Sequence, residues 1–244
     1  MFETNNSFVG HESRAAFKQL YLQLRQQEQR LYSDDELREL PDIHSGHIHY
    51  HEWKIRRQSS LRLAKYLMRK KSPIQILEIG CGNGWLAARL AGIEGSTVTA
   101  IDINGEEIRQ AKRVFHKTNL DFREMDFDPE GFPGTAFDIV VFAASLQYFS
   151  PLKSILDNVL KCMADDGEIH ILDTHFYKAS ELADAANRSC NYYTGRGYPA
   201  MAEYYFHHQI QELDGLNYKI MYNPQNLLNR LFVRNPFYWI CVYQ

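Results

Sequence analysis

No two cysteines in this 244-residue sequence stand at C-x-x-C spacing; Cys81, Cys162, Cys190 and Cys241 are far apart. That excludes the common zinc and dithiol motifs and fits a reducing compartment. No run of about 18 apolar residues occurs, so no membrane-spanning helix is expected. The first ten residues, MFETNNSFVG, lack a basic stretch followed by an apolar one. A secretory leader is therefore not expected, and the predicted location is the cytoplasm. An excess of positive charge is also missing: 27 Lys and Arg against 30 Asp and Glu leave a formal net charge of -3. A protein that grips nucleic acid over a broad face carries the opposite balance. Internal repeats and low-complexity segments are absent.

What is there suits a globular chain: 45% hydrophobic and 23% charged residues, enough for a sizeable core. Residues 11–40 read as helical, with Phe17, Leu20, Tyr21, Leu24 and Leu31 near one face. Ser33 and Asp34 have the chemistry of a cap before a short second helix that ends near Pro41. Residues 42–51, rich in His and Gly, read as a loop, and residues 53–71 as a further helix with basic outer positions. From residue 74 short apolar runs alternate with helical stretches. Strands are predicted at 74–79, 97–102, 120–125, 137–142 and 168–173, with helices at about 84–91, 105–116 and 151–163. That alternation implies a parallel, doubly wound sheet covered on both faces. Residues 218–222 and 237–242 read as two more strands that close the sheet in antiparallel fashion. The expected architecture is an α/β fold with a mostly parallel seven-stranded sheet, an antiparallel C-terminal strand and an N-terminal helical extension over 1–71. The second unit, 72–244, carries an insertion at 176–212 that is longer than a crossover needs.

The apolar run ILEI leads directly into Gly80-Cys81-Gly82-Asn83-Gly84 and then into WLAARLA. Glycines there allow a sharp turn and a close approach of ligand to backbone, at the strand end where open parallel sheets bind ligands. The dinucleotide fingerprint G-x-G-x-x-G fails, because its third glycine falls on Trp85; a P-loop fails because no G-K-[ST] follows. The pattern is E-x-G-x-G-x-G. Glu78, Asp102 and Asp126 follow one another at intervals of 24 residues, one at each predicted strand end.

In these features residues 74–175 resemble the class I S-adenosylmethionine-dependent methyltransferases. The resemblance implies that Glu78, Gly80, Cys81, Gly82 and Gly84 wrap the methionine part of the cofactor. It implies that Asp102, with Ile103 beside it, holds both ribose hydroxyls, since one carboxylate can accept two such bonds. Asp126 and Phe127 would face the adenine, and Phe137, Asp138 and Val140 match the family's F-D-x-V strand. Its end, from Ala143 to Tyr148, would line the sulfonium and acceptor side. Asp165-Asp166-Gly167 stands where the family carries a turn before its fifth strand. No metal is expected.

Beyond the resemblance, three regions carry candidate chemistry. His44, His47, His49, Tyr50, His51 and Trp53 form either a loop that closes over the cofactor, with Tyr50 or Trp53 against it, or a structural loop, or a metal site that lacks a thiolate. Tyr148 and His175 follow the fourth and fifth strands; His175 is the candidate proton acceptor, because imidazole titrates near neutrality, against a plain loop hydrogen bond. Tyr193, within Tyr192–Pro199, belongs to a glycine-, proline- and aromatic-rich stretch that reads as a substrate lid or as a surface loop or dimer contact. The basic run from Lys54 to Lys71 is either a solvated helix face or an RNA-contacting one.

The function expected is methyl transfer to an O, N or C atom of a small-molecule acceptor by a monomer or homodimer, with no membrane and no nucleic-acid partner. RNA or protein methylation is the competing enzymatic reading. A catalytically degenerate cofactor binder is the competing non-enzymatic one.

Overall fold

A computed structural model describes residues 11–70, 73–232 and 235–243. The chain runs α1 (His11–Gln27), α2 (Asp34–Glu39), α3 (Tyr50–Leu67), β1 (Ile74–Ile79), α4 (Trp85–Leu90), β2 (Ser96–Asp102), α5 (Gly105–Val114) and β3 (Leu120–Glu124). It continues through β4 (Phe137–Ala143), α6 (Leu152–Leu160), β5 (Met163–Leu172), β6 (Phe176–Tyr177), α7 (Leu182–Gly195), β7 (His208–Gln209), β8 (Asn217–Tyr222), α8 (Leu227–Phe232) and β9 (Trp239–Tyr243). Seven strands form one sheet in the order β3-β2-β1-β4-β5-β9-β8, and β6 pairs with β7 apart from it. The pairs among β1 to β5 are parallel, and β9 runs antiparallel to both of its neighbours. This is the predicted mostly parallel sheet closed by an antiparallel C-terminal strand.

The central strands read as apolar runs because helices cover both of their faces. Successive residues of β1 feed opposite cores: Ile74 and Ile76 join Val98, Ala100, Ile139 and Val141 under α3, α4 and α5. Leu77 and Ile79 join Ile101, Val140 and Phe142 over α6. Tyr32, Leu37, Trp53, Leu63 and Leu67 belong to the first of these cores, so α2 and α3 share it with the sheet. The short α2 is fixed by a capping box. Glu36 N donates to Ser33 Oγ at 3.2 Å, and Ser33 N donates back to Glu36 Oε2 at 2.8 Å. Asn104 caps α5 by accepting from Glu106 N at 3.2 Å.

The boundary of the fifth strand differs from expectation. Asp165-Asp166-Gly167, predicted as a turn before the fifth strand, lies inside β5. Phe137 faces Met163 and Ile139 faces Glu168, so the short step on β4 is matched by a longer, bulged one on β5. The bend still needs its glycine: a Cβ on Gly167 would stand 2.7 Å from Met163 Cε and 2.9 Å from the Ala164 carbonyl. The third helix also begins three residues earlier than predicted, at Tyr50. No helix among the described residues is long and apolar enough to cross a membrane.

Candidate functional site

The strand order reverses between β1 and β4, and the crevice outside the carboxyl ends of an open parallel sheet opens at that point. The chain leaves β1 by a tight turn in which Gly80 N and Cys81 N both donate to the Ile101 carbonyl, at 2.9 and 3.0 Å. Gly80, Gly82 and Gly84 have φ of 73, 52 and 77°, the left-handed region that side chains rarely enter. Their roles separate on sterics. A Cβ on Gly80 would lie 2.5 Å from Ser145 Cβ, at the end of β4. A Cβ on Gly84 would lie 2.4 Å from the Phe122 ring and 2.9 Å from Ala111, so this glycine serves helix packing. A Cβ on Gly82 meets nothing closer than Glu107 Oε1, at 3.5 Å.

Four acids surround the turn. Asp102 ends β2; its Oδ2 accepts from Gly82 N and its Oδ1 from Asn104 N, both at 2.8 Å. Each oxygen keeps a lone pair for a further donor. Burial pushes the Asp102 pKa up, against those two backbone donors. Glu107, on α5, accepts from Asn104 Nδ2 at 3.0 Å through Oε2. Burial, opposed by the Arg25 charge and assisted by Asp102, pushes its pKa up to about 7. Glu78 is buried beneath the turn and its Oε2 has no partner among the described residues. Burial, with the charge of Asp102 second, raises its pKa to about 8. Asp126 follows β3; Oδ1 accepts from Phe127 N at 2.9 Å and Oδ2 is 2.8 Å from Arg14 Nη2.

These strand ends form the floor of a cavity of about 340 Å³. Its roof is α1 together with the segment after α7. Phe17, Tyr21, Tyr148 and Tyr204 form an aromatic cluster across it, with Phe17 ring centres 5.5 Å from Tyr148 and 5.3 Å from Tyr204. Lys18 Nζ stands 3.5 Å from Glu124 Oε1, so two cations of α1 reach acids at the β3 end.

Of the residues singled out from sequence, Gly80, Gly82, Asp102, Ile103, Asp126, Phe127 and Tyr148 line this cavity. Glu78, Cys81 and Gly84 are not among the lining residues. Ala143 ends β4, and its neighbours Ala144 (φ 55°) and Ser145 form the wall instead. Tyr50 and Trp53 lie outside the cavity wall, on α3. Trp53 is buried in the core, donates to Tyr32 Oη at 2.7 Å and meets Trp85 edge-on at 5.3 Å. Tyr193 is buried against Leu24 and Met201, and burial pushes its phenol far up. His175 lines a different, open cleft of about 620 Å³ between α7 on one side and Pro224, Arg230, Asn235 and Tyr238 on the other. It packs 4.5 Å from the Phe237 ring, and burial, then the Arg188 charge, lowers its pKa. His49 is held by the Glu28 carbonyl at 2.8 Å and His47 by His49 N at 3.0 Å, which makes the histidine loop a hydrogen-bonded unit.

A cluster of metal-ligand type, Glu168, His170 and Cys241, lies elsewhere, between β5 and β9. Trp239 Nε1 donates to His170 Nδ1 at 3.1 Å, so the imidazole proton is on Nε2, which faces Glu168 Oε2 at 3.1 Å. Glu168 also takes Tyr66 and Lys70. Both ring nitrogens are thereby used in a structural network.

Sequence reading missed Arg14, Phe17, Lys18 and Tyr21 of α1, with Phe206, as parts of this wall; Ser145 falls in the stretch from Ala143 to Tyr148 that was expected to line it. The apolar face of residues 17–24 is visible as a periodicity, but periodicity does not say what a face covers.

Comparison with known proteins agrees with this geometry. Residues 76–167 match the family model described as a methyltransferase domain. Malonyl-[acyl-carrier protein] O-methyltransferase of Acetivibrio thermocellus is 31% identical over 98 residues, 40% of this chain and 34% of that protein. An uncharacterized methyltransferase of Mycobacterium bovis is 30% identical over 97 residues, 40% of this chain and 49% of that protein. The chain thus spans between a third and a half of the length of these curated relatives. Among solved structures, the plantazolicin methyltransferase BpumL in complex with SAH superposes with a TM-score of 0.55 at 15% identity. That alignment covers 96% of this chain and 98% of the other, a likeness of fold.

Proposed function

The chain belongs to the class I S-adenosylmethionine-dependent methyltransferase family, and on that premise we propose that it transfers a methyl group from S-adenosylmethionine to an O, N or C atom of a small-molecule acceptor. The observation that carries this reading is the cavity at the β1–β4 switch point. A cofactor with two ribose hydroxyls and an amino-acid tail needs an acid with free lone pairs beside a backbone stripped of side chains. Asp102 and Gly82 supply that pair, joined by their own hydrogen bond.

The residues fit the cofactor. Gly80 and Gly82 would hold its methionine portion, Asp102 its ribose, and Asp126, Ile103 and Phe127 its base. The cofactor would supply an activated methyl group on a sulfonium. The protein's own part is to align the acceptor and exclude water. Tyr21 and Tyr148 fit the second task and present aromatic faces suited to a cation. Burial raises the Tyr148 phenol pKa, so Tyr148 serves as a neutral donor and wall, not as a base near neutrality. SAH-bound neighbours and the small or carrier-bound acceptors in relatives' names support the small-molecule reading, with residues 198–206 acting as part of a lid.

Isothermal calorimetry with S-adenosylhomocysteine tests the reading. Saturable binding at micromolar concentration, competed by S-adenosylmethionine, is expected. No binding by folded protein overturns it.

A further inference from the structure

Two residues at the carboxyl ends of β4 and β5 hold a backbone conformation that side chains resist. Ala144 and Asp173 have φ of 55 and 53°, in the left-handed region. They stand level with each other. Each follows one member of the facing pair Ala143 and Leu172, and Ala144 N donates to the Leu172 carbonyl at 2.9 Å. Two neighbouring strands thus leave the sheet together, each by a strained step. Such strain persists only where the surroundings hold it, and it gathers where side chains must be aimed.

The two steps are braced differently. Asp173 is held from α3: its Oδ1 accepts from Ser59 Oγ at 2.6 Å, and Ser59 Oγ accepts in turn from Asn235 Nδ2 at 3.0 Å. Ala144 is held by Gln147, a buried amide whose Nε2 donates to the Ala144 carbonyl at 2.6 Å. Gln147 Oε1 accepts from Thr174 Oγ1 at 3.2 Å, which ties the exit of β4 to that of β5. The Gln147 backbone carbonyl accepts from Phe206 N at 2.8 Å, and Tyr148 N closes the turn on the Ser145 carbonyl at 3.0 Å. Ser145 Oγ donates to the Ile79 carbonyl at 2.6 Å, so the turn is pinned to the end of β1 as well. Ala144, Ser145, Tyr148 and Phe206 line the cavity, and Gln147 does not. One buried residue is therefore bonded to two parts of the wall, Ala144 and Phe206, and carries a third, Tyr148, as its neighbour in the chain.

We propose that Gln147 is a positioning residue for methyl transfer, locking the turn after β4 so that Ala144, Tyr148 and Phe206 form one fixed wall beside the reacting groups. The inference rests on the S-adenosylmethionine reading above and adds a residue that acts only through the wall. A displacement of the wall by about 1 Å costs rate, because alignment is the protein's main contribution to such a transfer. An amide suits the task. It donates to the strained carbonyl and accepts from the β5 exit at once, which neither a hydrocarbon nor an ionised carboxylate of that length can do.

The test reads Tyr148 itself. Protein labelled with fluorotyrosine gives a fluorine NMR signal for each tyrosine, and the Tyr148 signal is the one absent from Tyr148→Phe. In wild type that signal is expected to be single and to shift when S-adenosylhomocysteine binds. Gln147→Met keeps the length of the side chain and removes its hydrogen bonds. It should broaden or split the Tyr148 signal and abolish the shift, while calorimetric affinity for S-adenosylhomocysteine stays within about threefold of wild type. Thr174→Val should give part of that loss, and Thr174→Ser, which keeps the hydroxyl, should retain the wild-type signal. The proposal is overturned if the Tyr148 signal behaves alike in wild type and Gln147→Met, even where Gln147→Met unfolds at lower urea, which would make Gln147 a packing residue only. It is also overturned if wild type binds S-adenosylhomocysteine with no response at Tyr148. Should Gln147→Met not fold, Thr174→Val against Thr174→Ser decides by the same signal. Wild type that folds but binds no S-adenosylhomocysteine removes the cofactor reading itself, an outcome distinct from binding without a response at Tyr148.

Discussion

The backbone N–H of Gly82 donates to Oδ2 of Asp102 at 2.8 Å, between residues 20 apart in sequence. The bond ties the turn after β1 to the end of β2, and Asn104 N holds the other carboxylate oxygen at 2.8 Å. The acid that would bind ribose is therefore also the acid that sets the glycine turn. Its orientation is fixed by backbone donors before any ligand arrives, so binding has little ordering left to do.

Replacing Asp102 separates those two roles. Asp102→Asn keeps an oxygen for one backbone donor but puts an NH₂ group where the second donor or a ribose hydroxyl must be accepted. Affinity for S-adenosylhomocysteine is expected to fall at least about tenfold, the scale of losing a charge-assisted bond. Calorimetry measures it, and unchanged affinity in the folded variant removes Asp102 from the site.

At Gly80 the constraint is steric. With φ at 73° and a would-be Cβ 2.5 Å from Ser145 Cβ, Gly80→Ala meets both backbone strain and a clash with β4. The expected cost is about 2–4 kcal/mol, from the positive φ and overpacking together. Gly80→Ala with Ser145→Gly should recover the clash but not the strain, and so regain part of the loss in urea denaturation. Equal stability of the single and double variants would mean that the contact with Ser145 does not matter.

The glycine turn and the strand-end acids were legible in the sequence because their causes are local. Strands buried on both faces read as apolar runs, and a chain turning at positive φ reads as glycine. The family resemblance offered Asp102, Asp126 and the stretch that ends at Tyr148, at or just beyond strand ends, and all three residues line the cavity. The roof was not legible. Phe17, Tyr21 and Leu24 announce a buried face, but whether it lies on the core or over a cavity depends on tertiary packing. Trp53 and Tyr193 show the same limit from the other side. Aromatics that sequence offers to a ligand are here spent on Tyr32 and Trp85, and on Leu24 and Met201.

Glu78 gives the protein a pH-dependent liability. Its pKa is raised from 4.5 to about 8 by burial and then by the Asp102 charge. Between those values the unfolded chain has released the proton and the folded chain still holds it, so the unfolded state gains stability as pH rises. Folding stability should therefore decline from about pH 5 to pH 8, by at most about 1.4 kcal/mol per pH unit from this group. Glu78→Gln, neutral throughout, should flatten that part of the curve and gain on wild type as pH increases. Urea denaturation at pH 5, 6.5 and 8 measures it, and parallel curves for the two proteins would show that Glu78 is ionised when folded.

Tyr148 and His175 compete as the acceptor-side group, and they stand in different hollows of the molecule. Tyr148 lines the cavity and meets Phe17, Tyr21 and Tyr205, with ring centres 5.5 to 6.0 Å away. His175 lines the open cleft beside α7 and packs on Phe237. A group that acts on the reacting atoms must come within hydrogen-bond reach of them. Once an acceptor is in hand, Tyr148→Phe is expected to lower kcat/KM about tenfold, or ~1.4 kcal/mol of transition-state stabilisation, with cofactor affinity nearly unchanged. His175→Gln is expected to leave cofactor affinity unchanged and to alter kcat less than Tyr148→Phe does. The pH–rate profile gives the second reading. With a lowered pKa, His175 is neutral near pH 7, so a rate-controlling imidazole would show as an acidic limb that His175→Gln removes. Loss of that limb, with a larger fall in kcat than in Tyr148→Phe, would mean that the acceptor enters through the second cleft.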